Sequence, residues 1–179
     1  MKKEYRNYLL LFAILIFSVQ VGYGKSKNEI EWITFDELAE KQEVAPKKVL
    51  ISVYTKWCGW CKKMDKEIYA NEDLAAYVNE NFYAIQLDAE TKKSISFKGK
   101  TYKYVPDYKV NELAAVLLQG QMSYPSTIIM MEDMTQIESF PGYMELPVFE
   151  SILVFFGSNA IVTESWQSFQ KDFKASWRP

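Results

Sequence analysis

Two cysteines separated by two residues are the side chains in this sequence best suited to chemistry. The pair lies in the stretch Trp57-Cys58-Gly59-Trp60-Cys61-Lys62, after an apolar run at residues 49–53. Met64 and Ile68 follow at helical spacing on one face, so the pair is predicted to lie where a strand ends and a helix begins. The unpaired N–H groups at a helix N-terminus stabilise a thiolate and thereby lower the pKa of the first thiol.

This position predicts a different role for each thiol. Cys58, at the start of the helix, is the predicted nucleophile. The two intervening residues bring Cys61 round one helical turn to within disulfide reach. Cys61 can then attack a mixed disulfide on Cys58 and release a reduced product, so Cys61 is the predicted resolving thiol.

The composition of the 179-residue chain excludes most other chemistry. It contains no histidine, which excludes Ser-His-Asp and Cys-His catalysis and His-ligated zinc, copper or haem. Its only two cysteines are too few for a four-cysteine zinc site or an iron–sulfur cluster in one chain. A formal net charge of -2 gives no basic footprint for nucleic acid. We therefore expect no metal, no cofactor and no nucleic-acid partner.

The N-terminal residues predict an exported protein. Lys2, Lys3 and Arg6 precede an apolar run at residues 8–19, and Gly22-Tyr23-Gly24 supplies the small residues of a cleavage site. This pattern is typical of a secretory signal peptide, here residues 1–24, and predicts a periplasmic or otherwise exported protein. The alternative is an uncleaved anchor, but the run is shorter than the roughly 20 residues that span a bilayer. Membrane contact is expected only transiently, through this peptide.

The next residues predict alternating helices and strands in one domain, residues 25–157. Thr34 and Glu37 fit a capping box that opens a short helix. Residues 49–54 predict a central strand that is covered on both faces. A helix that starts at Asn71 and a strand at residues 82–87 then complete a parallel βαβ unit.

The pattern at residues 92–104 predicts an inserted β-hairpin. Ile95 and Phe97 alternate with polar residues, Lys98-Gly99-Lys100 forms a turn, and Tyr102 and Tyr104 alternate on the return. Lysines among aromatic residues could also indicate nucleic-acid binding. A solvated hairpin is the better interpretation for an exported chain without net positive charge.

The second half predicts one more core helix, whose apolar residues are Val110, Leu113, Ala114, Leu117 and Leu118. Gly120 follows as its C-cap. Residues 128–131 and 136–140 predict two antiparallel strands, and residues 146–156 predict the closing helix.

Residues 158–179 predict an amphipathic helical extension. Its aromatic stripe consists of Trp166, Phe169, Phe173 and Trp177. Such a stripe most often packs on its own domain. Dimer contact, partner docking and lipid adsorption are the alternatives.

The order of these elements and two motifs resemble the thioredoxin superfamily, in particular exported bacterial thioredoxin-like proteins with a W-C-x-W-C-K active site. The likeness runs from about Trp32 to Phe156. It rests on the cysteine motif after a central strand and on Tyr124-Pro125 before a later strand. The resemblance implies an α/β fold, the thioredoxin fold, in which helices flank a central mixed β-sheet. It also implies that Pro125 follows a cis peptide bond and lies against the cysteines.

By the same resemblance, the chain is a thiol–disulfide oxidoreductase acting on proteins with cysteines or disulfides, with an unidentified redox partner that supplies or removes electrons. Cys58 and Cys61 are the expected catalytic residues. The expected substrate-binding residues are Trp57, Gly59, Trp60, Tyr124, Pro125 and Gly142. A non-catalytic module that holds extended peptides is the alternative. A copper carrier is disfavoured because no His or Met ligand is evident beside the pair.

The chain departs from thioredoxins proper at two places. Their buried Asp, six residues before the first cysteine, is here Ser52, and its partner Lys on the neighbouring strand corresponds to Ala84. Proton transfer is therefore expected to use another route, through water or Glu67. Trp60 replaces their Pro between the glycine and the second cysteine. The residues between the cysteines tune the reduction potential, so the direction of electron flow stays open.

Overall fold

A four-stranded mixed sheet forms the centre of the protein, in the order β2 (Phe82–Asp88), β1 (Lys48–Tyr54), β7 (Ser126–Met130) and β8 (Gln136–Pro141). The computed structural model describes residues 29–178, so the predicted signal peptide, residues 1–24, lies outside the described residues. β2 runs parallel to β1, whereas β7 and β8 are antiparallel to their neighbours. The strands, including two short hairpins, are β1 (Lys48–Tyr54), β2 (Phe82–Asp88), β3 (Ile95–Phe97), β4 (Lys100–Tyr102), β5 (Tyr104–Val105), β6 (Val110–Asn111), β7 (Ser126–Met130) and β8 (Gln136–Pro141).

Helices cover both faces of this sheet, which confirms the predicted α/β class. They are α1 (Phe35–Val44), α2 (Gly59–Met64), α3 (Glu72–Asn81), α4 (Glu112–Leu117), α5 (Leu146–Gly157), α6 (Ala160–Thr163) and α7 (Trp166–Asp172). One core lies between the sheet and α2, α3 and α5, and the other lies between the sheet and α1 and α4. In β1, Leu50 faces the first core while Val49 and Ile51 face the second. The apolar run of β1 is thus buried on both faces. No helix among the described residues is long and apolar enough to cross a membrane.

The predicted helix starts and the βαβ unit are confirmed. The Thr34 hydroxyl accepts from the backbone N–H of Glu37 over 3.2 Å, and the Glu37 carboxylate accepts from the backbone N–H of Thr34 over 2.7 Å. Asn71 caps α3 by accepting from the backbone N–H of Leu74 over 2.9 Å. Each of these caps accepts a hydrogen bond from a backbone N–H of the first helical turn that has no partner within the helix.

A π-helical turn, Asp65–Tyr69, continues α2 and was not predicted. Its wider turn places two successive residues, Ile68 and Tyr69, in the core. The predicted burial of Met64 and Ile68 on one face is confirmed, because both are in the core beneath the sheet.

The inserted hairpin is shorter than predicted. β3 and β4 pair across a turn at Lys98 and Gly99, which have φ angles of 51° and 73°. Tyr104 does not extend this hairpin but pairs with Asn111 in the second one. The ring of Phe97 is buried at 5.4 Å from that of Phe35 on α1. The hairpin therefore packs on α1 through Phe97, while its lysines are exposed, as expected for a solvated hairpin.

The helix predicted from Val110 begins two residues later. Val110 lies in β6, and Asn111 caps α4 by accepting from the backbone N–H of Leu113 over 3.0 Å. This cap stops the helix from extending backwards, since Asn111 has extended backbone angles. The C-cap of the helix is Leu118 and not Gly120 as predicted; Gly120, with φ +78°, lies two residues further on.

The C-terminal extension is helical only in part. α7 ends at Asp172, so Phe173 and Trp177 lie beyond it. The buried carboxylate of Glu150 accepts from the backbone N–H groups of Ser176 and Trp177 over 2.8 and 3.1 Å. These N–H groups would be used within a helix, so their bonds to Glu150 favour an extended segment.

The aromatic stripe packs on its own domain. Trp166 and Phe169 each lie 5.1 Å from Phe155 of α5, and Trp177 lies 5.5 Å from Tyr77 of α3. The extension therefore covers the apolar side of α3 and α5.

Candidate active site

Cys58 and Cys61 form a disulfide at the start of α2, with their Cα atoms 5.3 Å apart. Cys58 is the N-cap of this helix, and its sulfur accepts a hydrogen bond from the backbone N–H of Cys61 over 3.0 Å. The sulfur thus occupies the place that a Ser or Asp oxygen takes in most caps. The backbone around Gly59, the first residue of α2, leaves open space, because an added Cβ would meet no atom within 4 Å.

Burial distinguishes the two cysteines very little. In the disulfide they are 5% and 3% exposed, so greater accessibility of Cys58 is not evident in this form. The N–H bond to the Cys58 sulfur does distinguish them, because a hydrogen bond to the charged form of a group favours that form.

Trp57 lies beside the disulfide and is 65% exposed. Its indole Nε1 donates to Glu90 Oε1 over 3.0 Å. The ring meets that of Tyr124 edge to face, with centroids 6.1 Å apart. Burial raises the pKa of the Tyr124 hydroxyl, and the negative charges of Glu90 and Asp88 raise it further. The hydrogen bond to Glu90 and the ring contact with Tyr124 together fix the orientation of the Trp57 indole.

Trp60, on the other side of the disulfide, is 58% exposed and lies 5.6 Å from the ring of Tyr143. Lys63 Nζ lies 5.1 Å from the Trp60 centroid and 4.7 Å from that of Tyr143, a cation–π arrangement. The Tyr143 hydroxyl donates to Glu67 Oε2 over 2.9 Å. Glu67, one expected proton carrier, is thus engaged on this outer side.

The Tyr124–Pro125 peptide bond is cis. Pro125 directly precedes β7, whose first residue, Ser126, pairs with Val53 near the end of β1. The proline thus lies at the edge of the sheet from which the cysteine loop leaves. Its carbonyl accepts from the backbone N–H of Gly142 over 2.7 Å. Gly142 has φ +93°, which a residue with a side chain rarely adopts.

The strand position at which thioredoxins proper have a buried Asp is polar but uncharged in this chain. Ser52 is 3% exposed, and its neighbours across the sheet are Gln86 on β2 and Thr127 on β7. Ala84, which corresponds by the resemblance to the partner Lys of thioredoxins proper, lies on the neighbouring strand β2 and pairs with Leu50, two residues from Gln86.

Tyr69 from the π-helical turn completes this polar group. Its hydroxyl lies near those of Ser52 and Thr127, and burial raises its pKa to about 12. Gln86 Nε2 donates to Asp65 Oδ1 over 3.3 Å. Asp65 thus brings a carboxylate to this face of the sheet.

Three residues at the site were not predicted. Asp65 follows Cys61 by four residues, and this helical spacing was an available signal. Glu90 follows a strand parallel to the one before the cysteines, so it could have been placed at the same edge. Tyr143 had no signal beyond its position next to Gly142.

Within residues 29–178, no group of three or more His, Cys, Asp or Glu side chains is placed to hold a metal ion.

Comparisons with known proteins agree with this geometry. A family model named Thioredox_DsbH, described as a protein of unknown function, DUF255, matches residues 22–175. An uncharacterized protein of Caenorhabditis elegans is 34% identical over 71 residues, which are 39% of this chain and only 10% of that relative. A thioredoxin-fold protein from Helicobacter pylori has a similar structure, with a TM-score of 0.55 and 20% identity over 72% of this chain and 81% of that one. A structure described as DsbH Oxidoreductase has a TM-score of 0.53 and 11% identity, over 79% of this chain and 95% of that one. At these identities the structural similarities show the thioredoxin fold.

Proposed function

This chain belongs to the DsbH-like thioredoxin family, and we propose on that premise that it is an oxidoreductase exchanging disulfides with the cysteines of client proteins. A thioredoxin-like fold with a paired Cys58 and Cys61 supports a disulfide redox function. The observation that carries the proposal is the Cys58 sulfur, which caps α2 and accepts the N–H of Cys61 over 3.0 Å. This donor favours a thiolate at the residue that must attack.

The proposed exchange has two steps. In the reductive direction the Cys58 thiolate attacks one sulfur of a client disulfide, forms a mixed disulfide and releases the other client sulfur as a thiolate. The Cys61 thiolate then attacks the Cys58 sulfur, which forms the Cys58–Cys61 bond and breaks the bond to the client. Two electrons pass to the client, which leaves with two thiols after protonation. In the oxidative direction the same steps run in reverse.

The four aromatic rings around the disulfide form the proposed docking surface, defined by Trp57, Trp60, Tyr124 and Tyr143. Trp57 and Trp60 are 65% and 58% exposed, and exposed tryptophans are typical of protein-binding sites. Two of the rings are held in place by neighbours, Trp57 by Glu90 and Tyr143 by Glu67. Because these side chains are already ordered, little further side-chain entropy is lost when a client binds, which favours affinity.

The backbone beside Pro125 is the proposed contact for an extended client chain. In this proposal the main chain of Tyr124 pairs with the client, as an added strand pairs with a sheet edge. The hydrogen bond between Pro125 and Gly142, of 2.7 Å, ties this segment to the end of β8.

Export to the periplasm or another compartment outside the cytoplasm is part of the proposal. It is supported by the N-terminal basic residues, apolar run and small residues of the sequence. In such a compartment a redox partner must supply or remove the electrons.

The second candidate is a peptide-binding module, which the exposed tryptophans also favour. Insulin reduction in dithiothreitol separates the two functions. We expect the wild type to accelerate insulin precipitation and Cys58→Ala to lose this effect. A wild type that binds unfolded peptide but does not accelerate the reduction would support the module and contradict the oxidoreductase.

A further inference from the structure

Cys61 must lose its proton before it attacks, and the strand residues behind it are uncharged. The hydroxyls of Ser52, Tyr69 and Thr127 occupy this side of the sheet. A hydroxyl is a poor proton acceptor near neutral pH, and burial raises the pKa of Tyr69 to about 12, which leaves it protonated. The acceptor must therefore come from another element.

Asp65 lies on the same helix face as Cys61. Its backbone N–H bonds to the Cys61 carbonyl, so α-helical geometry extends from one residue to the other. Side chains four residues apart on such a helix have Cβ atoms about 5–6 Å apart. Because Cα–Cβ bonds tilt toward the helix N-terminus, the Asp65 side chain points back toward the turn that carries Cys61.

A hydrogen bond from β2 holds the Asp65 carboxyl at the solvent-exposed edge of the sheet, beside α2. Gln86 Nε2 donates to Asp65 Oδ1 over 3.3 Å, and Gln86 is the residue opposite Ser52. The carboxylate thus lies between the cysteine helix and Gln86 on β2, the strand neighbour of Ser52.

We propose that Asp65 is the proton acceptor for the Cys61 thiol, directly or through one bridging water. This inference rests on the proposed function. Partial burial raises the pKa of the Asp65 carboxyl, which makes it a stronger base. The titratable groups that face it are Tyr54 on β1 and Tyr69 on the π-helical turn, and the negative charge of Asp65 contributes to raising the pKa of both hydroxyls.

The neighbouring carboxylates are engaged elsewhere. Asp88 Oδ2 lies 3.5 Å from Lys56 Nζ, and its Oδ1 accepts from the backbone N–H of Glu90 over 3.0 Å. Glu67 accepts from the Tyr143 hydroxyl on the outer side of α2. Asp65 is instead bonded to a neutral amide, which leaves its negative charge available for a proton.

The proton moves in the resolving step. The Cys61 S–H bond breaks, its proton passes to the Asp65 carboxylate, and the Cys61 thiolate attacks the Cys58 sulfur. The Cys58–Cys61 bond forms while the bond from Cys58 to the client breaks, and the client sulfur leaves with the electron pair. Asp65 then returns the proton to solvent or to the departing client.

The two thiols can be followed separately with dithiobis(nitrobenzoate). When the reduced protein is mixed with it, Cys58 releases the first thionitrobenzoate and Cys61 releases the second by resolving the mixed disulfide. For Asp65→Asn we expect an unchanged first release and a second release slower by about 10- to 100-fold at neutral pH. The deficit should shrink as the pH rises and Cys61 ionises without help. Asp65→Glu should restore most of the rate.

The control is Asp107→Asn, at an exposed aspartate of the β5–β6 turn, which should leave both releases unchanged. An unchanged second release in Asp65→Asn would overturn the inference, as would a defect found in Asp88→Asn instead. A wild type that gives no first release would contradict the proposed function. Should Asp65→Asn not fold, Gln86→Leu carries the test, because it removes the amide that holds the carboxyl. An unchanged second release in that variant also overturns the inference.

Discussion

The backbone N–H of Cys61 donates to the sulfur of Cys58 across 3.0 Å. This bond ties the resolving residue to the nucleophile through the main chain and does not depend on the S–S bond, so we expect it in the reduced protein as well. The donor then faces a thiolate, with which a hydrogen bond is stronger than with a neutral sulfur. The chemical asymmetry of the pair thus comes from the cap position, since the exposure of the two residues is nearly equal.

Reduced protein should therefore react first at Cys58. With limiting iodoacetamide at neutral pH, we expect most of the label on Cys58, because its thiolate is the more populated. Peptide mapping by mass spectrometry measures the distribution. Preferential labelling of Cys61 would show that the cap does not control reactivity.

Cys61→Ala should accumulate mixed disulfides with client proteins, whereas Cys58→Ala should not. Cys58 can still attack a client in the first variant, but no internal thiol resolves the complex. Non-reducing gels should show high-mass species that collapse with dithiothreitol, and mass spectrometry of the trapped proteins would identify clients. If Cys61→Ala stays monomeric under conditions in which the wild type turns over, the two-cysteine exchange is wrong.

Trp60→Ala should slow the reduction of protein disulfides more than that of a small disulfide. Loss of an aromatic contact costs about 0.5–1.5 kcal/mol, which corresponds to a roughly 2- to 12-fold lower kcat/KM for insulin. The rate with dithiobis(nitrobenzoate), which needs no docking surface, should change less. Tyr108→Ala is the matched control, because Tyr108 is a 79% exposed aromatic residue of the β5–β6 turn. Equal losses with both substrates would contradict a docking role.

Glu132→Gln should remove an acid-dependent part of the stability. Lys48 Nζ, on a side chain that is 4% exposed, lies 2.7 Å from Glu132 Oε1. The hydrogen bond from Lys48 holds the pKa of Glu132 below its ordinary value of 4.5. A carboxyl whose pKa is lowered in the folded state stabilises that state when the pH is above the carboxyl's ordinary pKa. This contribution is lost as the pH falls through the lowered pKa of the folded state.

At neutral pH we expect the free energy of unfolding of the variant to be lower by about 1–2 kcal/mol. This is the usual contribution of a hydrogen bond to a charged group, reduced because the Glu132 side chain is partly exposed to solvent. Urea unfolding should show this difference shrinking in acid. Glu43→Gln, at an exposed position of α1, provides the control. If the difference in unfolding free energy between the wild type and Glu132→Gln stays constant with pH, the proposed contribution of the Lys48–Glu132 ion pair is wrong.

The centre of the fold could be predicted because its signals are local. The run of β1 is apolar on both faces, and the caps at Thr34 and Asn71 need only residues a few positions away. The cysteine pair is equally local, since its chemistry follows from one strand end and one helix start.

The surroundings of the site depend on contacts between distant segments. Trp57 and Glu90 are 33 residues apart, and Tyr143 and Glu67 are 76 apart. The parallel strands could place Glu90 at the edge of the sheet near the cysteines, but the individual pairs form only after the loops are placed. The C-terminal segment is similar, because its extended part is fixed by the buried Glu150, which lies far from it in the sequence, in a mostly apolar helix.

The π-helical turn after the cysteine helix has a genetic consequence. Asp65–Tyr69 holds one residue more than an α-helix would place between the same two anchors. Deleting one codon here would close the turn and rotate the preceding residues by about 100° relative to those that follow. Such a deletion would therefore not shorten a loop. It would change which side chains enter the core, and it would turn Asp65 away from the strand that holds it.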